Sequence, residues 1–236
     1  MDIVITGASR GIGSALTKTF CRMGDHRLFV LSRNKNKLDE LSGACRGLNK
    51  NAKVIPIVTD LTLPDELKVS VNQILSITTS IDILVNNAGL AIRKAFDETD
   101  YVDADNMMKV NFHAPANLIC SLLPALIKSG NSHVVNISSM AGFQGSSKFP
   151  GLSYYSASKA AIAALTESLS EEYKGKGVTF NCLALGAVQT EMFSEVFPGY
   201  KAVLNPDEIA TFIANFALNA HNYLKGKIIP VSLSNP

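Results

Sequence analysis

No apolar run in this 236-residue chain exceeds the six residues Ala160 to Leu165, far short of the roughly 20 that a helix needs to cross a bilayer. A membrane-spanning segment is therefore not expected. The start, Met1-Asp2-Ile3-Val4-Ile5 before Thr6-Gly7, has neither a basic stretch nor an apolar run of about 7 to 15 residues, so no secretory signal is expected. Cysteine is scarce. Cys21, Cys45, Cys120 and Cys182 form no CxxC pair and fall within apolar patterns, which suits reduced core thiols in the cytoplasm better than a disulfide frame. Charge imbalance is lacking too: 22 basic and 20 acidic residues leave +2, and the one cationic cluster is Arg33-Asn34-Lys35-Asn36-Lys37. Nucleic acid is thereby a poor partner. His26, His113, His133 and His221 show no HExxH or Cys/His spacing, and no metal is expected.

What is present is apolar material, 47% of residues against 18% charged, enough for one core over residues 1–236. β-branched runs alternate with helical patterns: strand Asp2–Thr6, helix Gly11–Gly24, strand Arg27–Ser32, helix Lys35–Leu48, strand Lys53–Val58, helix Pro64–Ile77, strand Ile81–Asn86. The alternation continues with a helix or helix pair Asp100–Ser129, strand His133–Ser138, helix Ser153–Lys174 and strand Val178–Ala184. After an irregular Gly186–Asn205 come helix Pro206–Asn219 and a strand near Lys227–Val231. This order predicts an α/β fold, a doubly wound parallel sheet of about seven strands with helices on both faces. The continuous apolar runs Ile3-Val4-Ile5 and Leu28-Phe29-Val30-Leu31 fit strands covered on both sides. Ligands of such sheets sit outside the carboxyl ends of the strands, so the loops there are where chemistry is expected.

The first such loop, Thr6-Gly7-Ala8-Ser9-Arg10-Gly11-Ile12-Gly13, opens a helix whose amide end suits a phosphate. Its spacing departs from GxGxxG, and by itself an ordinary strand–helix turn explains it equally well. Asp60 at the third strand end suits an adenine amino group or a helix cap, and Asn87-Ala88-Gly89 after the fourth suits a nucleotide cleft or a plain turn. Beyond Ser139 at the fifth strand end, Tyr155 and Lys159 stand at i and i+4 of a helix. An ammonium there can draw a phenol from about 10 toward neutrality, giving a proton donor. Tyr154 has Ser158 four residues on and cannot play this part.

Taken in order, TGASRGIG, the Asp60 strand end, NNAG, Asn111, Ser139 and YxxxK resemble the short-chain dehydrogenase/reductase family from residue 2 to about 232. The resemblance implies a Rossmann-type fold and a catalytic set of Asn111, Ser139, Tyr155 and Lys159. It implies Gly7, Ser9, Gly11, Ile12 and Gly13 around cofactor phosphates, Asp60 and Leu61 at adenine, and Asn87, Ala88 and Gly89 along the nucleotide. Leu185-Gly186-Ala187-Val188-Gln189-Thr190 resembles the family's PGxxxT, with Gly186, Val188 and Thr190 at the nicotinamide. Three departures stand out: Leu185 replaces proline; the Ser139 to Tyr155 interval is longer, with Gln144 to Lys148 as an insertion expected to alter the substrate wall; and the Asp-Gly-Gly ending of bacterial 3-oxoacyl-carrier-protein reductases is missing.

The implied activity is hydride transfer between NADP(H) and a carbonyl or secondary alcohol, of a carbonyl reductase type similar to 3-oxoacyl-carrier-protein or sepiapterin reductases. A nucleotide-sensing regulator without turnover is the alternative, although it would not need all four catalytic residues. NADP(H) is expected because Ser32 stands where an acid would hold a ribose 2′-hydroxyl, with Arg33 and Arg10 placed for a 2′-phosphate. Residues 187–205 carry Met192, Phe193, Val196, Phe197, Pro198 and Tyr200 and are expected to form a lid over a partly hydrophobic small-molecule substrate. Helices Ser153–Lys174 and Asn117–Ile127 are richer in small and apolar residues than one sheet face requires. In the family these helices pair across a two-fold axis, implying a homodimer or homotetramer.

Overall fold

The computed structural model describes residues 1–233, which form one parallel sheet: β1 (Asp2–Thr6), β2 (Arg27–Ser32), β3 (Lys53–Val58), β4 (Ile83–Asn86), β5 (Ser132–Ser139), β6 (Val178–Leu185) and β7 (Ile228–Val231). Their spatial order is β3-β2-β1-β4-β5-β6-β7. The intervening helices are α1 (Gly11–Met23), α2 (Lys35–Leu48), α3 (Pro64–Ile77), α4 (Tyr101–Met108), α5 (Ala114–Ser129), α6 (Ser153–Glu172), α7 (Glu191–Val196) and α8 (Pro206–Asn219). The doubly wound sheet expected from the alternation is thus the fold.

Alternation of side chains along each strand divides the core between two faces. In β1, Ile3 and Ile5 join Leu16 and Phe20 of α1, Leu38 of α2 and Ile213 of α8. Val4 turns the other way, to Phe29, Ile74 of α3 and Leu118 and Leu122 of α5. The chain leaves β1 for β2 and β3 on one side and returns with β4 on the other, in register Ile5 with Val85. That reversal opens a crevice between the loops after β1 and β4, the usual ligand position of such sheets.

Two segments differ from the sequence expectation. Residues 101–129 are one continuous helix with a π-helical turn at Lys109–His113, an extra residue per turn of the kind that marks functional sites. By length and composition this helix could cross a bilayer, a point that counting uninterrupted runs overlooks. Here Leu118, Ile119, Leu122 and Leu126 are spent in the core beside Val134 and Phe180. The stretch after β6 is also less irregular than expected. Thr190 caps α7 by accepting a hydrogen bond from the Phe193 amide at 3.1 Å, and Glu191 suits the positive end of that helix. Cys120, expected in the core, is exposed, whereas Cys21, Cys45 and Cys182 are buried free thiols.

Candidate active site

A cleft of about 820 Å³ lies along the carboxyl ends of the strands. Every candidate catalytic and cofactor-binding residue from the sequence lines it except Gly13 and Asn111, which stand just behind its wall; of the expected lid, Met192, Phe193, Val196, Phe197 and Tyr200 line it too, but Pro198 does not. Gly7 has φ +69°, and a Cβ there would lie 2.8 Å from Ala88 Cα. At Gly13, expected beside the phosphates, a Cβ would meet the Gly7 carbonyl oxygen at 2.3 Å. Its missing side chain thus serves packing of the loop against its own helix. Asn87 fixes the same loop from β4, its side-chain amide donating to the Thr6 carbonyl at 3.0 Å. The α1 start carries no side-chain cap, which leaves its first amides available to an anion.

The adenine-ribose end of the cleft is built from β2 and β3. Ser32 Oγ donates to Ser9 Oγ at 2.7 Å, tying the β2 end to the glycine loop. Arg33 Nη1 stands 3.8 Å from Asp60, and its side chain is 74% exposed. Asp60 accepts from the Thr62 amide at 2.9 Å and the Thr62 hydroxyl at 2.8 Å. Burial works to raise its carboxyl, but the Thr62 bonds and the Arg33 charge together hold it below the usual carboxylate range.

At the other end, β5 delivers Ser139 and α6 delivers Tyr155 and Lys159. Lys159 is buried and donates to the Ile137 carbonyl at 2.9 Å. Burial pulls its ammonium down to about 8, with some opposition from Cys182. Tyr155 differs from the sequence expectation of a phenol drawn toward neutrality. Burial raises it, the neighbouring Ser139 hydroxyl pulls the other way, and the Lys159 ammonium lies 5.9 Å from the ring centre while bonded to Ile137. The π turn presents Asn111, whose Oδ1 accepts from the Leu90 amide at 2.8 Å and whose Nδ2 donates to the Leu90 carbonyl at 2.8 Å and Ser158 Oγ at 2.9 Å. Lys159 Nζ and Asn111 Oδ1 converge on Gly89, lying 3.4 and 3.5 Å from where its Cβ would be.

The outer wall is aromatic. Phe197 of the segment after β6 meets Phe149 edge-on at 5.4 Å, Phe193 at 5.3 Å and Tyr200 at 6.3 Å. Phe149 and Leu152 line the cleft, whereas the neighbouring insertion is folded back, Lys148 donating to the Ala141 carbonyl at 2.8 Å. The wall is therefore set by the residues after the insertion. Sequence reasoning missed Phe149 and also Arg93, whose guanidinium sits 5.0 Å over the Phe197 ring. Their only signal was position, in loops beyond the strand ends.

A family model described as short chain dehydrogenase matches residues 2–201. The 3-oxoacyl-(acyl-carrier-protein) reductase of Thermotoga maritima is 31% identical over 239 residues, covering 97% of this chain and 94% of that protein. Among solved structures, L-sorbose reductase from Gluconobacter frateurii, complexed with NADPH and L-sorbose, has a TM-score of 0.89 at 21% identity, covering 99% of this chain and 95% of its own. The 3-ketoacyl-(acyl-carrier-protein) reductase from Brucella melitensis, complexed with NADH, has a TM-score of 0.87 at 21% identity, covering 98% and 96%. At these identities the structural likeness establishes the fold.

Proposed function

The chain belongs to the short-chain dehydrogenase/reductase family, oxidoreductases acting at C=O and CH–OH carbon, and from that premise we propose that it reduces a partly hydrophobic carbonyl at the expense of NADPH. The observation that carries this reading is the meeting of Ser139, Tyr155 and Lys159 in one cleft with Asn111 behind them. A dinucleotide fits the cradle: Gly7, Ser9, Gly11 and Ile12 line the cleft without bulky side chains at the glycines, and the uncapped α1 amides suit its phosphates.

When bound, the nicotinamide supplies the hydride. Gly7, Ser9, Gly11 and Ile12 would cradle the phosphates, Asp60 and Leu61 would hold the adenine, and Asn87 to Gly89, Gly186, Val188 and Thr190, which line the same cleft, would hold the remainder. Ser139 holds the carbonyl oxygen and Tyr155 gives it a proton. Lys159 places a positive charge behind the phenol and would hold the nicotinamide ribose. Asn111, clamped on Leu90 and Ser158, anchors a water through which Lys159 is reprotonated. The aromatic wall supports a substrate with an apolar part. A regulator without turnover could use Lys159 to hold the ribose but would have no need of Asn111, Ser139 and Tyr155 beside it, so the enzyme is favoured. Four free thiols suit a reducing compartment such as the cytoplasm. The test is NADPH oxidation followed at 340 nm against acyl thioesters, ketosugars, pterins and apolar ketones; no turnover with any class would favour the regulator.

The choice of NADP(H) rests on Ser32, Arg33 and Arg10, since the solved neighbours hold NADPH in one case and NADH in another. NADPH is expected to bind at least tenfold tighter than NADH, and Arg33→Ala to remove about one power of ten of that preference. Calorimetric titration showing equal affinities, or no effect of Arg33→Ala, would overturn the assignment.

Self-association follows from the outer helices. Ala157, Ala160 and Ala164 on α6, and Cys120, Ser121 and Pro124 on α5, are exposed, small enough for close helix approach. Sedimentation is expected to find a dimer or tetramer at micromolar concentration. A monomer would contradict it.

A further inference from the structure

The segment after β6 touches the glycine loop through charge. Helix α7 carries Glu191 and Glu195 at i and i+4, on one side of the helix; Glu191 lines the cleft with Met192, Phe193 and Val196, whereas Glu195 stands outside it. Glu191 Oε2 lies 3.6 Å from the position of a Cβ on Gly11. Glu195 Oε1 accepts from Arg10 Nη1 at 3.3 Å. The two acids are not equivalent. Glu191, in the first turn, is favoured by the helix dipole, but Glu195, in the last turn, opposes it. Among the described residues its one ion-pair partner is Arg10, the guanidinium already assigned to the 2′-phosphate. On the opposite side the same segment is held without a carboxylate: Arg93 Nη1 donates to the Val196 carbonyl at 3.3 Å and covers the Phe197 ring.

We propose that Glu195 is a specificity-determining residue: its carboxylate occupies Arg10 where a 2′-phosphate would claim it, so a 2′-phosphorylated adenine nucleotide frees that edge of the lid and a 2′-hydroxyl nucleotide does not. This rests on the NADP(H) reading above. A phosphate monoester carries about −1.5 to −2 at neutral pH against −1 for the carboxylate, and so wins Arg10 in competition. Two anions on one exposed guanidinium repel, which weakens the hold of the carboxylate on Arg10. Both partners are substantially exposed, at 44% and 65%, so the exchange requires no repacking. The Arg93 hold carries no competing acid and persists, making the glycine-loop edge the one that yields.

The test uses fragments that lack the nicotinamide and differ only in the 2′-phosphate, adenosine 2′,5′-bisphosphate and AMP, titrated calorimetrically into the whole protein and its Glu195→Gln variant. Glu195→Gln is expected to bind the bisphosphate about three- to fivefold tighter, the worth of an exposed ion pair, with AMP affinity unchanged. In parallel, amide exchange of residues 191–197 is expected to quicken when the bisphosphate, but not AMP, binds the parent, and to be fast from the start in the variant. If the parent prefers the bisphosphate yet Glu195→Gln alters neither its affinity nor the exchange, or alters both nucleotides alike, the role of Glu195 is refuted while the cofactor reading stands. If the parent binds both nucleotides equally, the cofactor reading itself fails and the Glu195 role falls with it.

Discussion

A Tyr155→Phe variant is expected to lose about 10²- to 10⁴-fold in turnover, the worth of a positioned acid, while binding NADPH as tightly as the parent. The substitution removes one hydroxyl and keeps the ring that α6 packs into the cleft wall. The neighbouring Tyr154→Phe supplies the control, because the Tyr154 ring lies stacked on Phe96 at 5.5 Å and about 100° round the helix from Tyr155. It should retain nearly full activity. Steady-state rates with one confirmed carbonyl and cofactor titrations on all three proteins decide the matter. Undiminished turnover in Tyr155→Phe would move the proton donation elsewhere. The same assay should show activity falling as pH rises through about 8, where Lys159 gives up the proton that burial makes hard to keep.

The second large effect lies at the far end of the sheet. His133, fully buried at the start of β5, has Nδ1 2.9 Å from the Ala217 carbonyl and Nε2 3.0 Å from the Asn181 side-chain nitrogen. The Asn181 amide is locked in orientation, its oxygen accepting from the Lys227 amide and its nitrogen donating also to the Leu224 carbonyl. Nδ1 therefore carries the proton and Nε2 must remain an acceptor, so a second proton would face an N–H donor. Burial, outweighing the Ala217 carbonyl and aided by nearby His221, lowers His133 from the ordinary 6.5 to about 4. As pH falls through this window the unfolded chain takes up a proton that the folded chain refuses, so stability falls. The loss from this group between pH 7 and pH 4 is expected to reach about 3 kcal/mol. Urea unfolding of the parent and His133→Gln at a series of pH values separates it from carboxylate effects. A parent and variant with the same pH slope would show that His133 contributes nothing.

The fold was legible because both halves of its logic are written in local pattern: β-branched runs covered on both faces, and helices whose apolar positions recur at helical spacing. The site was legible where a loop directly follows a strand, since the sheet itself then brings Gly7, Asn87, Ser139 and Gly186 to one edge. What escaped depends on contacts between distant segments. Nothing near Asn181 in sequence announces that it will dictate the tautomer of His133, and nothing beside Glu195 names Arg10. The phenol of Tyr155 shows the same limit. The i, i+4 spacing to Lys159 states which face the two residues share, but the carbonyl of Ile137 takes the ammonium, and burial from both sides of the cleft then sets the balance of charge.

The π turn at Lys109–His113 has a further consequence for how much this chain can change in length. One residue more than an α-helical turn requires is accommodated between α4 and α5, and removing it would let the two merge into an unbroken α-helix. That smoother helix would come at the expense of the site. Deleting a residue inside the wide turn would leave the buried Ala104 and Met107 on their face but take Asn111 off the Leu90 backbone, whereas deleting one outside it would rotate everything upstream by about 100°. Helical regularity and the Leu90 clamp are thus mutually exclusive here. Single-residue insertions or deletions between 101 and 129 are confined by chemistry at residue 111 rather than by the helix's own preference.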